Sequence, residues 1–255
     1  MNKINATGLV LTYNGEKLLK KTLESLSFCK EVLVIDSNSQ DHTVQIAKEY
    51  GAKVIINPWE GPASQFNFAF QHITTPWVIN LDQDEILSPQ LQHYIQKQLS
   101  SPYIKYDGFY CRRKSFYFDR FLKHCGWYPD YLLRIFKLSK IKVTTSGPHW
   151  HFSLNGTTQK IPYEIIHYPY ENLSQHLDKI NYYTQIAAKE LIQNNKTSSL
   201  SKALGHGLAR FIKIYFLKLG FLDGRAGFIL ALHAFFYGFH KYIRVLELKL
   251  NENKI

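Results

Sequence analysis

The chain has 255 residues, of which 45% are hydrophobic and 15% aromatic. This composition excludes general disorder, and the length allows one folded domain with an extension or two small domains. The formal net charge of +11 favours partners that carry negative charge.

The chain has three cysteines, an odd number, and no CxxC motif; they are Cys29, Cys111 and Cys125. This pattern argues against a disulfide framework or a zinc cluster and favours a reducing compartment. The first residues lack a long apolar run, so we expect no secretory signal and a cytoplasmic location.

Short apolar runs alternate with helical patterns over the first hundred residues. The pattern predicts strands at 4–11, 31–36, 53–56 and 77–81, and helices at 15–28, from about 41, at 64–72 and from 88. Ser88 is expected to cap the last helix, with Pro89 at its first position. Nearly all-apolar strands that alternate with helices predict an α/β fold with a parallel sheet covered on both faces.

Polar residues follow three of these strands, at the edge where such sheets bind ligands. They are Thr12-Tyr13-Asn14, Asp36-Ser37-Asn38-Ser39 and Asp82-Gln83-Asp84. An isolated Asp-x-Asp is most often a solvated turn, but at the end of a buried strand the pair favours a divalent metal that binds a diphosphate. Asp36 is expected either to accept hydrogen bonds from a base or ribose or to cap a turn.

Two common nucleotide motifs are missing from the sequence. No GxGxxG follows the first strand, and no GxxxxGK[ST] occurs. Dinucleotide cofactors and P-loop nucleotide hydrolysis are therefore disfavoured.

The C-terminal part is predicted to be helical and basic. A row of mostly apolar residues, alternately four and three positions apart, predicts a long amphipathic helix. Its buried face is expected to consist of Leu173, Leu177, Ile180, Thr184, Ala187 and Leu191. From Lys196 onward, ten Lys or Arg stand against three Asp or Glu, and residues 226–239 are uncharged. A spanning helix needs roughly 20 apolar residues. We therefore expect an interfacial or re-entrant hairpin around Gly224 on an anionic membrane, with a packed core helix as the alternative.

Three segments, 12–16, 34–43 and 81–85, resemble glycosyltransferase family 2, which has the GT-A fold. Segments 126–136, 167–168 and 221–227 resemble its bacterial lipopolysaccharide-core branch. The resemblance implies a GT-A (Rossmann-like) catalytic domain over residues 1–170 and a helical, membrane-associating extension over 171–255. It also implies transfer of a hexose-type sugar, with inversion, from a nucleotide donor, UDP in this branch, to a lipid-linked saccharide such as lipopolysaccharide inner core. The enzyme would act at the inner face of the cytoplasmic membrane.

The resemblance assigns roles to individual residues. Thr12, Asn14, Glu16, Asp36 and Asp82 would line the nucleotide pocket, and Asp84, with Asp82, would hold Mg²⁺ or Mn²⁺. Asp130 would be the catalytic base, and Arg134 would bind the diphosphate or, alternatively, form an ion pair with Asp130.

Two positions depart from the branch pattern. Pro148-His149-Trp150 stands where a Val-His-Glu triplet is usual, which leaves Asp130 as the better base candidate. Phe66 stands where a basic residue commonly precedes Asn67.

The acceptor side is expected to be basic and aromatic. Arg112 and Arg113, with Lys114, Lys123 and His124, would attract an anionic acceptor or lipid head groups, or form a solvated face. Trp127 would stack on a sugar ring or pack, and His149 and His167 are further metal or acceptor candidates, although a structural role is commoner for a single histidine.

Three rival functions are considered. A relative that glycosylates a polyprenyl phosphate is the nearest, and the missing transmembrane tail counts against it. A non-catalytic module that binds anionic membrane or nucleic acid would explain the net charge but not the acidic strand ends, so we expect no nucleic-acid partner. A nucleotidyltransferase is disfavoured because no glycine-rich basic loop follows the first strand.

Overall fold

The computed structural model of the protein describes residues 3–146 and 149–252. The strands in this part of the chain are β1 Ile4–Thr12, β2 Cys29–Asp36, β3 Lys53–Ile56, β4 Trp77–Asp82, β5 Glu85–Leu87, β6 Gly108–Tyr117, β7 Arg120–Phe121, β8 Asp130–Lys137, β9 Ile141–Ser146, β10 His149–Leu154 and β11 Thr158–His167. The helices are α1 Glu16–Ser25, α2 Thr43–Glu49, α3 Pro62–Phe70, α4 Pro89–Leu99, α5 Leu173–Gln193, α6 Leu200–Ile212 and α7 Gly224–Glu252.

The main sheet has the strand order β3-β2-β1-β4-β8-β6-β11-β5, and β7 pairs with β6. The four N-terminal strands are parallel to one another, whereas β8 runs antiparallel to both β4 and β6, and β11 antiparallel to β5. The expected α/β fold is confirmed. The segment between residues 103 and 167, for which the sequence pattern predicted no elements, supplies the antiparallel strands and the β9–β10 hairpin.

Two apolar cores lie on the two faces of the sheet, because successive side chains of a strand point to opposite faces. Val10 of β1 packs with Leu19 and Leu23 of α1 in one core. Leu9 packs with Phe66 of α3 in the other. The cap predicted for α4 is confirmed, since Leu91 N donates to Ser88 Oγ at 3.3 Å.

The chain divides into two compact units. The first comprises residues 1–113 and 130–167 and contains the main sheet; the second comprises residues 114–129 and 168–255 and contains α5, α6 and α7.

Helix α5 is present as predicted, but its buried face differs from the prediction. The buried residues are His176, Ile180, Thr184 and Ala188. Leu173 and Leu177 are instead 38% and 46% exposed. The contacts with α7 select a row of every fourth residue: His176 Nδ1 lies 2.7 Å from His233 Nδ1, and Arg244 donates to Thr184 Oγ1. Hydrophobic periodicity predicts that the leucines are buried, because two members of the row that is actually buried, His176 and Thr184, are polar.

The tail forms α6, a π-helical turn at Lys213–Leu217, a 3₁₀ turn at Gly220–Asp223 and α7. Among the described residues no single helix is long and apolar enough to cross a bilayer. Residues 200–217 and 220–251 meet that criterion only as a pair, which is bent by 72° at the break.

Candidate active site

Three polar loops meet at the carboxyl edge of the parallel strands and are joined by side-chain hydrogen bonds. Gln83 after β4 accepts from Tyr13 N at 2.8 Å and donates to Tyr13 O at 3.1 Å. Asn14 Oδ1 accepts from Gln40 N at 2.8 Å, and Asn14 N donates to Ser39 Oγ at 2.8 Å. The loops after β1, β2 and β4 therefore form one connected surface.

Asp36 and Thr12 are both buried in this surface. Thr12 Oγ1 donates to Asp36 Oδ2 at 2.7 Å, and Ser39 N donates to Asp36 Oδ1 at 2.8 Å. Asp36 thus caps the turn after β2, which is the alternative considered for it. Its place as a nucleotide contact stays a prediction.

Glu16 and Tyr13 lie on the open side of the same loops. Glu16 Oε2 accepts from His42 N at 3.0 Å and lies 2.8 Å from His42 Nδ1. Tyr13 is 59% exposed. An aromatic ring left in solvent at a ligand-binding edge is a candidate platform for a base, and the sequence analysis did not single it out; its place in the first polar strand end was the available signal.

A buried group of charges lies under the loop between β4 and β5. Arg134 is 6% exposed, and its Nη2 donates to Asp82 Oδ2 at 2.6 Å and to Glu85 Oε1 at 2.7 Å. Glu85 is fully buried and also accepts from Asp82 N at 3.1 Å. Glu85 was missed as a site residue, although its position next to the Asp-x-Asp pair was a usable signal.

Asp130 pairs with Arg113. Arg113 donates from Nε and Nη2 to Asp130 Oδ2 at 3.0 and 2.8 Å, and from Nη1 to Glu85 Oε1 at 3.3 Å. Arg113 and Asp130 are directly opposed in the β6–β8 ladder, where facing residues lie about 5 Å apart. Arg113, expected on the acceptor side, therefore links the candidate base to Glu85.

The alternative ion pair between Arg134 and Asp130 is wrong. The two residues are four apart on β8. An extended strand separates such residues by roughly 13 Å at about 3.3 Å per residue. Their charges are instead neutralised by different partners, Asp82 and Arg113.

The charges of the group shift one another's pKa. Burial acts to raise the pKa of the Asp82 carboxyl, but the adjacent Arg134 outweighs it and holds that pKa below its usual value. Burial raises the pKa of Glu85, despite the same guanidinium. The ion pairs with Asp82 and Glu85 raise the pKa of Arg134 against the effect of its burial, so that it stays charged.

Asp84 lies beside His167. In the β11–β5 ladder His167 is opposite Glu85, which brings His167 Nε2 to 3.8 Å from Asp84 Oδ2. The side chains of Asp82 and Asp84 are 47% and 28% exposed. Over residues 3–146 and 149–252, no three His, Cys, Asp or Glu side chains converge on one metal position. A carboxylate and an imidazole at this separation suit an ion that completes its shell with phosphate and water.

The remaining acceptor-side candidates are spread over both units. In the first unit, Arg112 Nη2 donates to Pro162 O at 2.6 Å and lies 3.4 Å from Glu164 Oε1. In the second, Trp127 packs against Tyr117 and Tyr170, with ring centroids 5.8 and 6.4 Å apart. The side chain of His149, like all of Pro148, lies outside the described residues.

The two departures from the branch pattern contact each other. Phe66 is 2% exposed, and its ring centroid lies 5.0 Å from that of Trp150. Phe152 packs against both rings, at 4.8 Å from Phe66 and 5.3 Å from Trp150. Aromatic packing thus occupies both positions at which the branch commonly carries charge.

Known proteins share similarity with most of the chain. An uncharacterized glycosyltransferase of Rickettsia typhi is 28% identical over 98% of this chain and 87% of its own length. The lipopolysaccharide core biosynthesis glycosyltransferase LpsC of Rhizobium meliloti is 24% identical over 93% of this chain and 90% of its own.

Solved structures give weaker likenesses. S. aureus TarS in complex with UDP-GlcNAc is 17% identical, covers 92% of this chain and 80% of its own, and has a TM-score of 0.48. Glucosyl-3-phosphoglycerate synthase from Mycobacterium tuberculosis, in complex with Mn²⁺, UDP and phosphoglyceric acid, is 21% identical over 45% of this chain and 43% of its own, with a TM-score of 0.36. These superpositions are too weak to carry an argument about substrate.

The family itself is shown by sequence. Residues 9–154 match the glycosyl transferase family 2 profile, and this match covers the polar loops, Asp130, Arg134 and the Phe66–Trp150 contact. The α/β sheet and the C-terminal helical region agree with the predicted GT-A fold with an extension. The chain belongs to glycosyl transferase family 2 and is a transferase.

Proposed function

We propose that the protein is an inverting, metal-dependent glycosyltransferase that moves a hexose-type sugar from a UDP donor to a lipid-linked saccharide such as lipopolysaccharide inner core. One observation carries the proposal. Four carboxylates (Asp82, Asp84, Glu85 and Asp130) lie with the guanidinium groups of Arg113 and Arg134 at the carboxyl edge of the sheet. These carboxylates, with Asp82 and Asp84 partly exposed, suit a cation and its diphosphate.

The nucleotide would bind across the loops after β1 and β2. Tyr13 offers its exposed ring to the base, and Asn14 and Glu16 border the same loop. Thr12 and Asp36 lie buried beneath it and would shape the pocket, with Asp36 reaching the base only if the turn after β2 opens. UDP is the donor nucleotide that the resemblance to the lipopolysaccharide-core branch implies.

Asp84, with Asp82, would hold Mg²⁺ or Mn²⁺, and His167 is a further candidate ligand. When bound, the ion would neutralise the negative charge that develops on the departing diphosphate. A nitrogen ligand favours Mn²⁺, since Mg²⁺ prefers an all-oxygen shell. Arg134 already donates to two carboxylates, so it would act on the diphosphate chiefly by fixing Asp82.

Asp130 would act as the base. It takes the proton of the acceptor hydroxyl while that oxygen attacks the anomeric carbon, and the bond from that carbon to the diphosphate oxygen breaks with its electron pair. Attack from the face opposite the leaving group inverts the anomeric centre. The guanidinium of Arg113 lies 2.8 Å from this carboxylate.

The acceptor follows from resemblance to LpsC, whose name assigns it to lipopolysaccharide core biosynthesis. Arg112 and Trp127 remain acceptor candidates. A polyprenyl phosphate is the rival acceptor, and parallel assays with both lipids distinguish them.

The extension over residues 171–255 would bring the enzyme to the cytoplasmic face of an anionic membrane. Every fourth residue of α6 and the following turn is apolar and at least 42% exposed: Leu200, Leu204, Leu208, Ile212 and Phe216. The opposite face packs on α7, where Ala203 and Gly207 are buried. Between residues 200 and 230 five Lys or Arg are exposed, and the only acidic residue, Asp223, is buried. An apolar stripe with exclusively basic exposed charges fits anionic lipid.

Vesicle co-sedimentation tests this surface. We expect Leu208→Asp to weaken binding to phosphatidylglycerol-containing vesicles about tenfold or more. The substitution puts a charge in place of apolar area that the lipid would otherwise bury. Leu177→Asp, at an exposed leucine outside the stripe, is the matched control. Equal binding by both variants and the wild type would refute the membrane surface.

Thermal stability with a nucleotide panel, with and without Mn²⁺, tests the donor site. A ligand at 100 times its Kd stabilises the folded state by about 2.7 kcal/mol. We expect a Mn²⁺-dependent shift with UDP that Asp84→Ala loses and Asp107→Ala keeps, because Asp107 pairs with Lys137 away from the loops. Absence of a shift with every nucleotide would refute the donor site and favour the non-catalytic basic module.

A further inference from the structure

The loop of residues 122–129 leads directly into Asp130 and is held by one buried carboxylate. Asp223 is 3% exposed. Its Oδ2 accepts from His124 N at 2.8 Å, and both of its oxygens lie 3.2 Å from Lys123 N. His124 Nδ1 lies 3.1 Å from Oδ1. A single carboxylate thus satisfies two successive backbone N–H groups and one ring nitrogen of the loop.

The loop has a conformation that needs such support. Cys125 has φ +62°, which is unfavourable for a residue with a Cβ, and Gly126 follows with φ +76°. Cys125 N donates to Lys218 O at 2.8 Å, and its Sγ lies 3.7 Å from Asp223 Oδ2. Trp127 N donates to His124 O at 3.1 Å. The anchored residues 123–125 therefore set the path of the chain toward Trp127.

The segment around Asp223 is built to place this carboxylate. Gly224 has φ +59°, a conformation that favours glycine. A Cβ on Gly227 would lie 1.9 Å from Gly220 O, so only glycine permits this close turn. The segment 220–227, which the catalytic proposal leaves without a role, thus packs one buried acid against the loop.

We infer that Asp223 is a positioning residue for the acceptor reaction: it fixes the loop that carries Trp127. This inference rests on the role proposed above for Trp127. Each carboxylate oxygen can accept from the two backbone N–H groups and from a protonated His124 Nδ1, whereas the NH₂ group of an asparagine can accept from none of them. Asp223 itself belongs to neither the donor site nor the metal site.

Asp223→Asn tests the inference, with Asp119→Asn as its control. Asp119 is an acid of the same unit that pairs with Arg225 at 3.0 Å, and its side chain is 26% exposed. Three quantities are measured on the full chain: kcat/KM for lipopolysaccharide truncated after its inner core, Kd for UDP with Mn²⁺, and amide hydrogen exchange over residues 122–128.

We expect Asp223→Asn to lower kcat/KM for the acceptor about tenfold or more, since small misplacements of reacting groups have large effects on rate. The Kd for UDP should change less than about twofold, and exchange of the loop amides should rise about tenfold because the substitution removes one of their two acceptor oxygens. Asp119→Asn should match the wild type in all three. Unchanged acceptor kinetics, or an equal loss of UDP and acceptor binding, would overturn the inference.

A second variant covers a failure of Asp223→Asn to fold. His124→Ala removes only the ring contact with Asp223, and we expect about a threefold loss of acceptor kcat/KM with UDP affinity retained; no loss would count against the inference. If the wild type transfers sugar to no acceptor, the proposed function has failed. Amide hydrogen exchange over residues 122–128 then tests by itself whether Asp223 anchors the loop. Loop exchange unchanged in Asp223→Asn would then refute the anchoring role.

Discussion

Phe66 and Trp150 pack against each other at the two positions where similar enzymes commonly carry a basic residue and a glutamate. Their ring centroids are 5.0 Å apart, and α3 and β10 supply one ring each. An aromatic contact therefore occupies both positions in this chain.

Restoring one charge without the other should be destabilising. We expect Trp150→Glu to lower the free energy of unfolding by about 2–4 kcal/mol, because it removes ring packing and places a carboxylate against Phe66 and Phe152. Phe66→Arg combined with Trp150→Glu should recover about 1 kcal/mol or more relative to the sum of the single variants. Urea unfolding of the four proteins measures this coupling, and strict additivity would contradict it.

Asp130→Asn should abolish most of the turnover. Loss of a general base lowers kcat by about 10²- to 10⁴-fold. The Kd for UDP should be unchanged, because Asp130 contacts Arg113 and not the loops after β1 and β2. UDP release with and without acceptor provides the assay, and Asp107→Asn, another acid paired with a cation, provides the control. An Asp130→Asn variant with wild-type kcat would exclude Asp130 as the base.

Arg134 and Glu85 should be energetically coupled. Arg134→Met removes the closer of the two guanidinium groups that contact the fully buried Glu85, and we expect a loss of about 3–5 kcal/mol in the free energy of unfolding. Adding Glu85→Gln should restore about 1 kcal/mol or more of that loss, since the uncompensated charge is gone. Urea unfolding checks the effect. The more exposed Lys137–Asp107 pair should contribute only about 0–1 kcal/mol, and equal coupling in both pairs would contradict this explanation.

Stability should fall on acidification because of His176. Burial lowers its pKa to about 3, with neighbouring His233 and Lys179 acting in the same direction. The unfolded chain, with a histidine pKa of about 6.5, therefore takes up a proton between pH 6.5 and 3 that the folded chain does not. The free energy of unfolding should decrease as the pH falls through this window.

His176→Phe should remove part of that slope. Between pH 6.5 and 4.5 we expect the wild type to lose about 2 kcal/mol more than this variant. Thermal unfolding across the pH range provides the measurement. His93→Asn, at an exposed histidine, should keep the wild-type slope, and an unchanged slope in His176→Phe would show that other groups govern the acid transition.

The local pattern was sufficient for the N-terminal half of the fold. Buried apolar strands followed by helices predicted β1 to β4 and the order of their polar ends, because these elements depend on periodicity and capping within short segments. It also indicated Asp84 and Asp130 as site candidates through family resemblance. It gave no elements between residues 103 and 167, where the strands are stabilised by antiparallel partners far away in the chain.

The ion-pair partners of Asp130 and Arg134 were determined only by the tertiary structure. The sequence suggested Asp130 as a partner of Arg134, but strand geometry keeps them apart, and the β6–β8 register places Arg113 opposite Asp130. Likewise, the row of α5 that becomes buried was set by contacts with α7 and not by its leucines. The sequence by itself determined the periodicity, the strand ends and the family. Register and packing, which depend on residues distant in the chain, determined the partners of Arg134, Glu85 and Asp130.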